Sequence, residues 1–123
     1  LQKALGERNI KRASQIVHNF IANPKKNPVV VVVASLFNYF SKVYLLHFLQ
    51  HKSEKDIMEA TGIRFAFFLK NYRTAQRNYP LHKTERILSI LKEFDLKSKG
   101  INYNSTGKPE GELLKEMIWK ILH

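Results

Sequence analysis

From Val29 to Gln50 the chain runs without a glycine or a proline, opening with five valines and continuing through Leu36, Phe37, Phe40, Tyr44 and Phe48. Valine runs favour strands. The uninterrupted length, however, is several times the ~5–6 residues of an ordinary strand. From Leu36 onward, Leu36, Phe40, Val43, Tyr44 and His47 recur at helical spacing. One long helix spanning Pro28–Gln50, with Pro28 in its first turn, accounts for both halves. So many β-branched residues tolerate a helix only when packing surrounds it. The rest of the chain must therefore supply a shell of amphipathic elements.

The flanking segments read as that shell. Asn9 can cap a helix to about Asn23, with Ile10, Ala13, Val17, Phe20 and Ile21 on one face. The turn Asn23–Pro28, with two prolines, ends it. Ser53 caps a short helix whose buried face is expected to be Ile57, Met58 and Ala60, and Gly62 supplies a left-handed exit. A helix from Arg64 to Asn78 follows, with Phe65, Phe68, Leu69 and Tyr72 expected inward, and Pro80 stops it. Leu81–Leu96 carries Ile87, Leu88, Leu91 and Phe94 at helical spacing. Lys97–Pro109 reads as a polar loop, and Gly111–Leu122 as a last helix. Leu1–Leu5 looks like a helix end closed by Gly6. No segment alternates with period two, so the expected fold is an all-α bundle of about five to six helices in one domain.

Composition narrows the function. The 123 residues carry 21 Lys+Arg against 10 Asp+Glu, a formal charge of +11. That excess suits polyanions or acidic protein surfaces, and also serves plain solubility. Without cysteine there is neither a disulfide framework nor a thiolate metal site. Pro28–Phe40 is too short for the ~20 residues of a membrane span, and Ser41 and Lys42 break it. No signal peptide is recognisable, so the sequon Asn104-Ser105-Thr106 reads as chance and a cytoplasmic location is expected. The start at Leu1 suggests a fragment of a longer protein.

Ser53–Asn78 has the look of a helix-turn-helix. A base-reading helix presents polar side chains from its first turns, whereas Arg64-Phe65-Ala66-Phe67-Phe68 is mostly aromatic and suits packing. Lys70, Arg73 and Arg77 share one face and could meet phosphates, or simply be solvated. Gly100–Pro109 superficially imitates a phosphate-binding loop, but six residues separate its glycines and Pro109 follows Lys108. His47 and His51 stand one turn apart, yet the glutamate of a metalloprotease motif is missing. No nucleophile motif or paired carboxylates argue for an enzyme, and no cofactor is implied.

Taken in order, the segments resemble the C-terminal domain of the delta subunit of the bacterial DNA polymerase III clamp loader. Ala4-Leu5-Gly6-Glu7-Arg8-Asn9-Ile10-Lys11-Arg12-Ala13 is similar to the start of that domain's first helix, and Pro28–Gln50 to its long second helix. Ser53-Glu54-Lys55-Asp56-Ile57 through Ala60-Thr61-Gly62-Ile63 resembles its short helix-turn unit. Lys70-Asn71-Tyr72-Arg73-Thr74-Ala75 sits where that family has a basic helix. Phe94-Asp95-Leu96-Lys97-Ser98-Lys99-Gly100 is close to the family's Asp-Leu-x-x-Lys-Ser-Gly tract, departing by the extra Lys99 and the long following loop. The resemblance implies a helical collar that packs with collars of ATPase and delta-prime subunits and does not hydrolyse ATP. It implies that the sliding clamp is bound only by an amino-terminal part outside this chain. Phe37, Phe40, Tyr44 and Phe48 are then candidates for the subunit interface. Lys42, Lys70, Arg73 and Arg77, with an exposed Tyr39, are candidates for contact with single-stranded template DNA. The competing expectation is a helix-turn-helix nucleic-acid binder.

Overall fold

A computed structural model describes residues 1–100 and 110–123, and all regular structure in them is helical. In chain order the helices are α1 (Gln2–Gly6), α2 (Ile10–Ala22), α3 (Val29–Phe48), α4 (Glu54–Thr61), α5 (Ala66–Asn78), α6 (Leu81–Ser98) and α7 (Glu110–Leu122). The all-α expectation holds. The helix count rises to seven among the described residues, because Gln2–Gly6 forms a helical turn of its own. Gly100–Pro109 and the sequon fall almost wholly outside the described residues.

The valine run is helical, for the reason anticipated. α3 lies at the centre, packed most extensively on α6 and also on α5, α7 and α4. Val29, Val32, Val33, Leu36, Tyr39, Phe40, Val43 and Leu46 are buried along it. Each β-branched residue costs a helix about 0.5 kcal/mol relative to alanine. Burial of a valine returns ~1.5 kcal/mol or more, so packing wins. By length and composition α3 could cross a membrane. Its buried face is instead the packing surface of the bundle, which is compatible with a soluble protein. Pro28 offers no side-chain cap, and the N–H of Val29, which has no partner within the helix, donates to Glu110 Oε1 at 2.6 Å, across 81 residues of sequence. A carboxylate at a helix N-terminus also suits the macrodipole.

The short α1 is held by its neighbours rather than by propensity. Asn78 Nδ2 donates to the Gly6 carbonyl at 2.9 Å and Tyr79 Oη to the Leu5 carbonyl at 2.5 Å, satisfying C-terminal acceptors that a five-residue helix leaves open. Arg8 then takes a left-handed backbone with φ 53°. Such a backbone costs a residue other than glycine about 1 kcal/mol. Its guanidinium offsets that by donating to the Leu122 carbonyl at 2.8 Å, at the end of α7, and by lying over the Tyr79 ring.

Around Tyr79 the α5–α6 joint is locked. His47 Nε2 donates to the Tyr79 carbonyl at 2.9 Å, and the buried Thr84 hydroxyl donates to the same oxygen at 2.9 Å. This commits the His47 nitrogen to the backbone, and among the described residues no group of three or more metal-ligating side chains gathers. Burial pushes the Tyr79 phenol from 10.0 up to about 12, with Arg8 pulling the other way. Tyr39 is also raised, by burial first and then by Tyr72, Tyr79 and Glu7. A phenol that keeps its proton longer in the folded chain stabilises it fully below the unfolded value, and this is lost as pH climbs through the folded one. Unfolding free energy should therefore fall between about pH 10 and pH 12. In urea melts across that window, Tyr79→Phe is expected to flatten the fall.

Two local expectations shift. α4 buries Ile57 and Thr61, with Met58 half-buried and Ala60 exposed. The Thr61 hydroxyl donates to the Ile57 carbonyl at 2.8 Å, which lets a polar residue face inward. α6 runs on to Ser98, two residues beyond Leu96, and Gly100 at φ 76° follows its end.

Candidate functional site

The helix-turn-helix appearance is realised as geometry. Ser53 Oγ accepts from the Asp56 N–H at 3.2 Å, Gly62 adopts φ 76°, and its N–H donates to the Met58 carbonyl. Ile57, Ile63, Leu69 and Leu46 form a small satellite core that pins α4 and α5 to the end of α3. Three residues with extended or irregular backbone then lead into α5, which starts at Ala66 with Phe65 as an extended N-cap lacking a side-chain bond.

The aromatic start of α5 does not face inward. Phe65, Phe67 and Phe68 are exposed, Phe67 at 68 %, while Leu69 and Ala75 occupy the inward positions and Tyr72 is half-buried. This corrects the expected burial of Phe65 and Phe68: only one side of the helix reaches the core, and Leu69 and Tyr72 already fill it. The three rings pack on each other, with centroids 4.3 Å apart for Phe67–Phe68, 5.7 Å for Phe65–Phe67 and 5.8 Å for Phe65–Phe68. With Gln2 and Lys3 of α1, Tyr39 and Lys42 of α3, Arg64, Asn71 and Tyr72, they border an open groove of about 610 Å³.

The five residues considered for nucleic-acid contact are dispersed. Lys42 lines this groove. Lys70, Arg73 and Arg77 run down α5 outside the groove lining, Arg77 reaching the Thr74 hydroxyl at 3.3 Å. Tyr39 is not exposed: only 2 % of it is accessible, its hydroxyl donates to Asn71 Oδ1 at 2.7 Å, and its ring packs on Tyr72 and Phe40. It sits beneath the groove with no face free for a base.

The interface candidates separate into core and surface. Phe40 is fully buried between Tyr39 and Tyr79 and belongs to the core, because it lies on the α3 face that meets α6 and α5. Phe37 and Phe48 are 44 % and 60 % exposed, and Tyr44 is half-buried with its ring 5.1 Å from that of Phe48. Val30 and Leu45, which sequence reasoning passed over, are exposed on the same side. The result is a second apolar stripe along α3, interrupted only by the small Ala34 and Ser41. Val30, Phe37, Tyr44 and Phe48 recur at helical spacing, but so do the buried residues of α3, so spacing alone does not single them out.

A third apolar area lies between α2 and α7, where Trp119 is exposed and its ring stacks on His123 at 4.9 Å. Comparison of the chain with protein-family models, curated proteins and solved structures returns no match.

Proposed function

We propose that the chain is a non-catalytic assembly module: the collar domain of a delta-type subunit of a bacterial DNA polymerase III clamp loader. In that role it packs with collars of ATPase and delta-prime subunits, in the cytoplasm, to support sliding-clamp loading during replication. Contact with the clamp belongs to an amino-terminal part outside this chain, and ATP chemistry to other subunits.

The observation that carries the reading is the outer stripe of α3. A helix already buried along one side retains Val30, Phe37, Leu45 and Phe48 exposed on another, over about 27 Å of its axis. Contiguous apolar surface of this kind marks an interaction site on a folded chain. Its form, a ridge of large side chains with small residues between, suits a neighbouring helix that packs ridge into groove. The ordered motifs from Ala4 to Gly100 support the choice of family.

The test is sedimentation velocity of the chain mixed with clamp-loader ATPase and delta-prime subunits. Co-sedimentation is expected, and Phe48→Asp should weaken it by about tenfold or more while the thermal midpoint stays within a few degrees. Failure to associate, together with tight, steeply salt-dependent duplex DNA binding, would point instead to the helix-turn-helix reading.

A further inference from the structure

We infer that the groove beside Phe65, Phe67 and Phe68 is a docking site for an acidic polypeptide segment carrying large apolar anchors. The anchors would seat on the three rings, and carboxylates would meet Lys3, Lys42 and Arg64.

Three observations lead there. The rings are large, exposed and contiguous, on a helix whose inward positions are already filled. Aromatic anchors of this type dominate the energetics of protein interfaces. The groove volume, about 610 Å³, lies within the roughly 300–1,000 Å³ typical of binding clefts. Its border carries Lys3, Lys42 and Arg64 and no aspartate or glutamate, and none of the ion pairs among the described residues engages these three cations. A partner that is both apolar and negative is complementary to such a surface.

A polypeptide fits better than single-stranded nucleic acid. Base stacking uses one open ring face per base. Here Phe68 tilts against both Phe65 and Phe67, at 5.8 and 4.3 Å, and Phe65 and Phe67 spend ring faces on each other, stacked at 5.7 Å, so the three rings form a single cluster. The tyrosine that could have added a platform, Tyr39, is buried under the groove. The basic stripe Lys70, Arg73 and Arg77 lies outside the lining, so no phosphate track continues from it. The site does not depend on the collar reading. At about 100° per residue, Lys42 stands roughly 140° around α3 from Phe37, on a different face.

The experiment is fluorescence anisotropy on the intact chain, with a fluorescein-labelled synthetic peptide in which Asp-Glu pairs alternate with Leu-Phe pairs. Saturable binding is expected, weakened about tenfold by Phe67→Ser and by Lys42→Glu and by raised salt. Phe48→Ser should leave it unchanged, and oligo(dT) should not displace the peptide. Phe67 is too exposed for its loss to unfold the bundle, and a thermal melt of each variant verifies this. The proposal is overturned by no saturation up to about 1 mM peptide. It is equally overturned by Phe67→Ser and Lys42→Glu binding like the parent, or by displacement of the peptide by oligo(dT). Loss of subunit assembly in Phe48→Asp concerns the α3 stripe alone, so the two readings fail separately.

Discussion

Phe40→Ala is expected to lower the unfolding free energy by about 4 kcal/mol, the usual loss for truncating a fully buried phenylalanine. Phe40 has no accessible surface, and its ring meets Tyr39 at 5.2 Å and Tyr79 at 5.5 Å, both edge-on at 89°. Truncation removes two favourable aromatic contacts and leaves a cavity at the crossing of α3 with α5 and α6. For a domain of this size each kcal/mol moves the midpoint roughly 4 °C, so thermal unfolding should fall by about 15 °C. Phe48→Ala, one face away and largely exposed, should stay within about 1 kcal/mol of the parent. If Phe40→Ala left stability intact while abolishing subunit association, α3 would be rotated relative to the packing described above.

Gly6→Ala should be nearly as damaging, by about 3 kcal/mol in urea melts. On a helix, replacing glycine by alanine ordinarily stabilises by up to ~1 kcal/mol. Here a Cβ at Gly6 would lie 2.1 Å from Tyr39 Oη and 3.2 Å from the Ala75 Cβ, inside van der Waals contact. The ring of Tyr39 is buried, so moving it breaks the 2.7 Å bond to Asn71 and disturbs its packing on Tyr72. The clash therefore outweighs the propensity gain. Tyr39→Phe alone should cost about 1 kcal/mol for the lost hydrogen bond. Combined with Gly6→Ala it should recover part of the loss, giving a coupling of ~1–2 kcal/mol in a double-mutant cycle. A stabilising Gly6→Ala would mean that α1 does not pack against Tyr39.

These two sites also show where the sequence was readable. Caps and breakers are local chemistry, so Asn9, Ser53, Gly62 and Pro80 announced the helix boundaries to within a residue or two. The centrality of α3 followed from its length and apolarity. Its rotation did not: a helix apolar on nearly every side carries no amphipathic phase, so Phe40 and Phe37 were indistinguishable until the neighbours were placed. The same ambiguity put Tyr39 on the surface. At α5 the sequence pattern predicts Phe65 and Phe68 inward, but Leu69, Ala75 and the half-buried Tyr72 already fill that face. Long-range partners such as Glu110 at Val29 and Arg8 at Leu122 have no local signature at all.

In the proposed function α3 serves two surfaces, its inner stripe the core and its outer stripe a neighbouring subunit. The most direct measurement is site-specific photo-crosslinking within a complex assembled from the chain and clamp-loader ATPase and delta-prime subunits. A photoreactive side chain is placed in turn at Phe37, Phe48 and the buried Phe40. Adducts between this chain and an adjacent subunit from Phe37 and Phe48, with none from Phe40, are the predicted result. Absence of inter-subunit adducts from Phe37 and Phe48 in the assembled complex would contradict it.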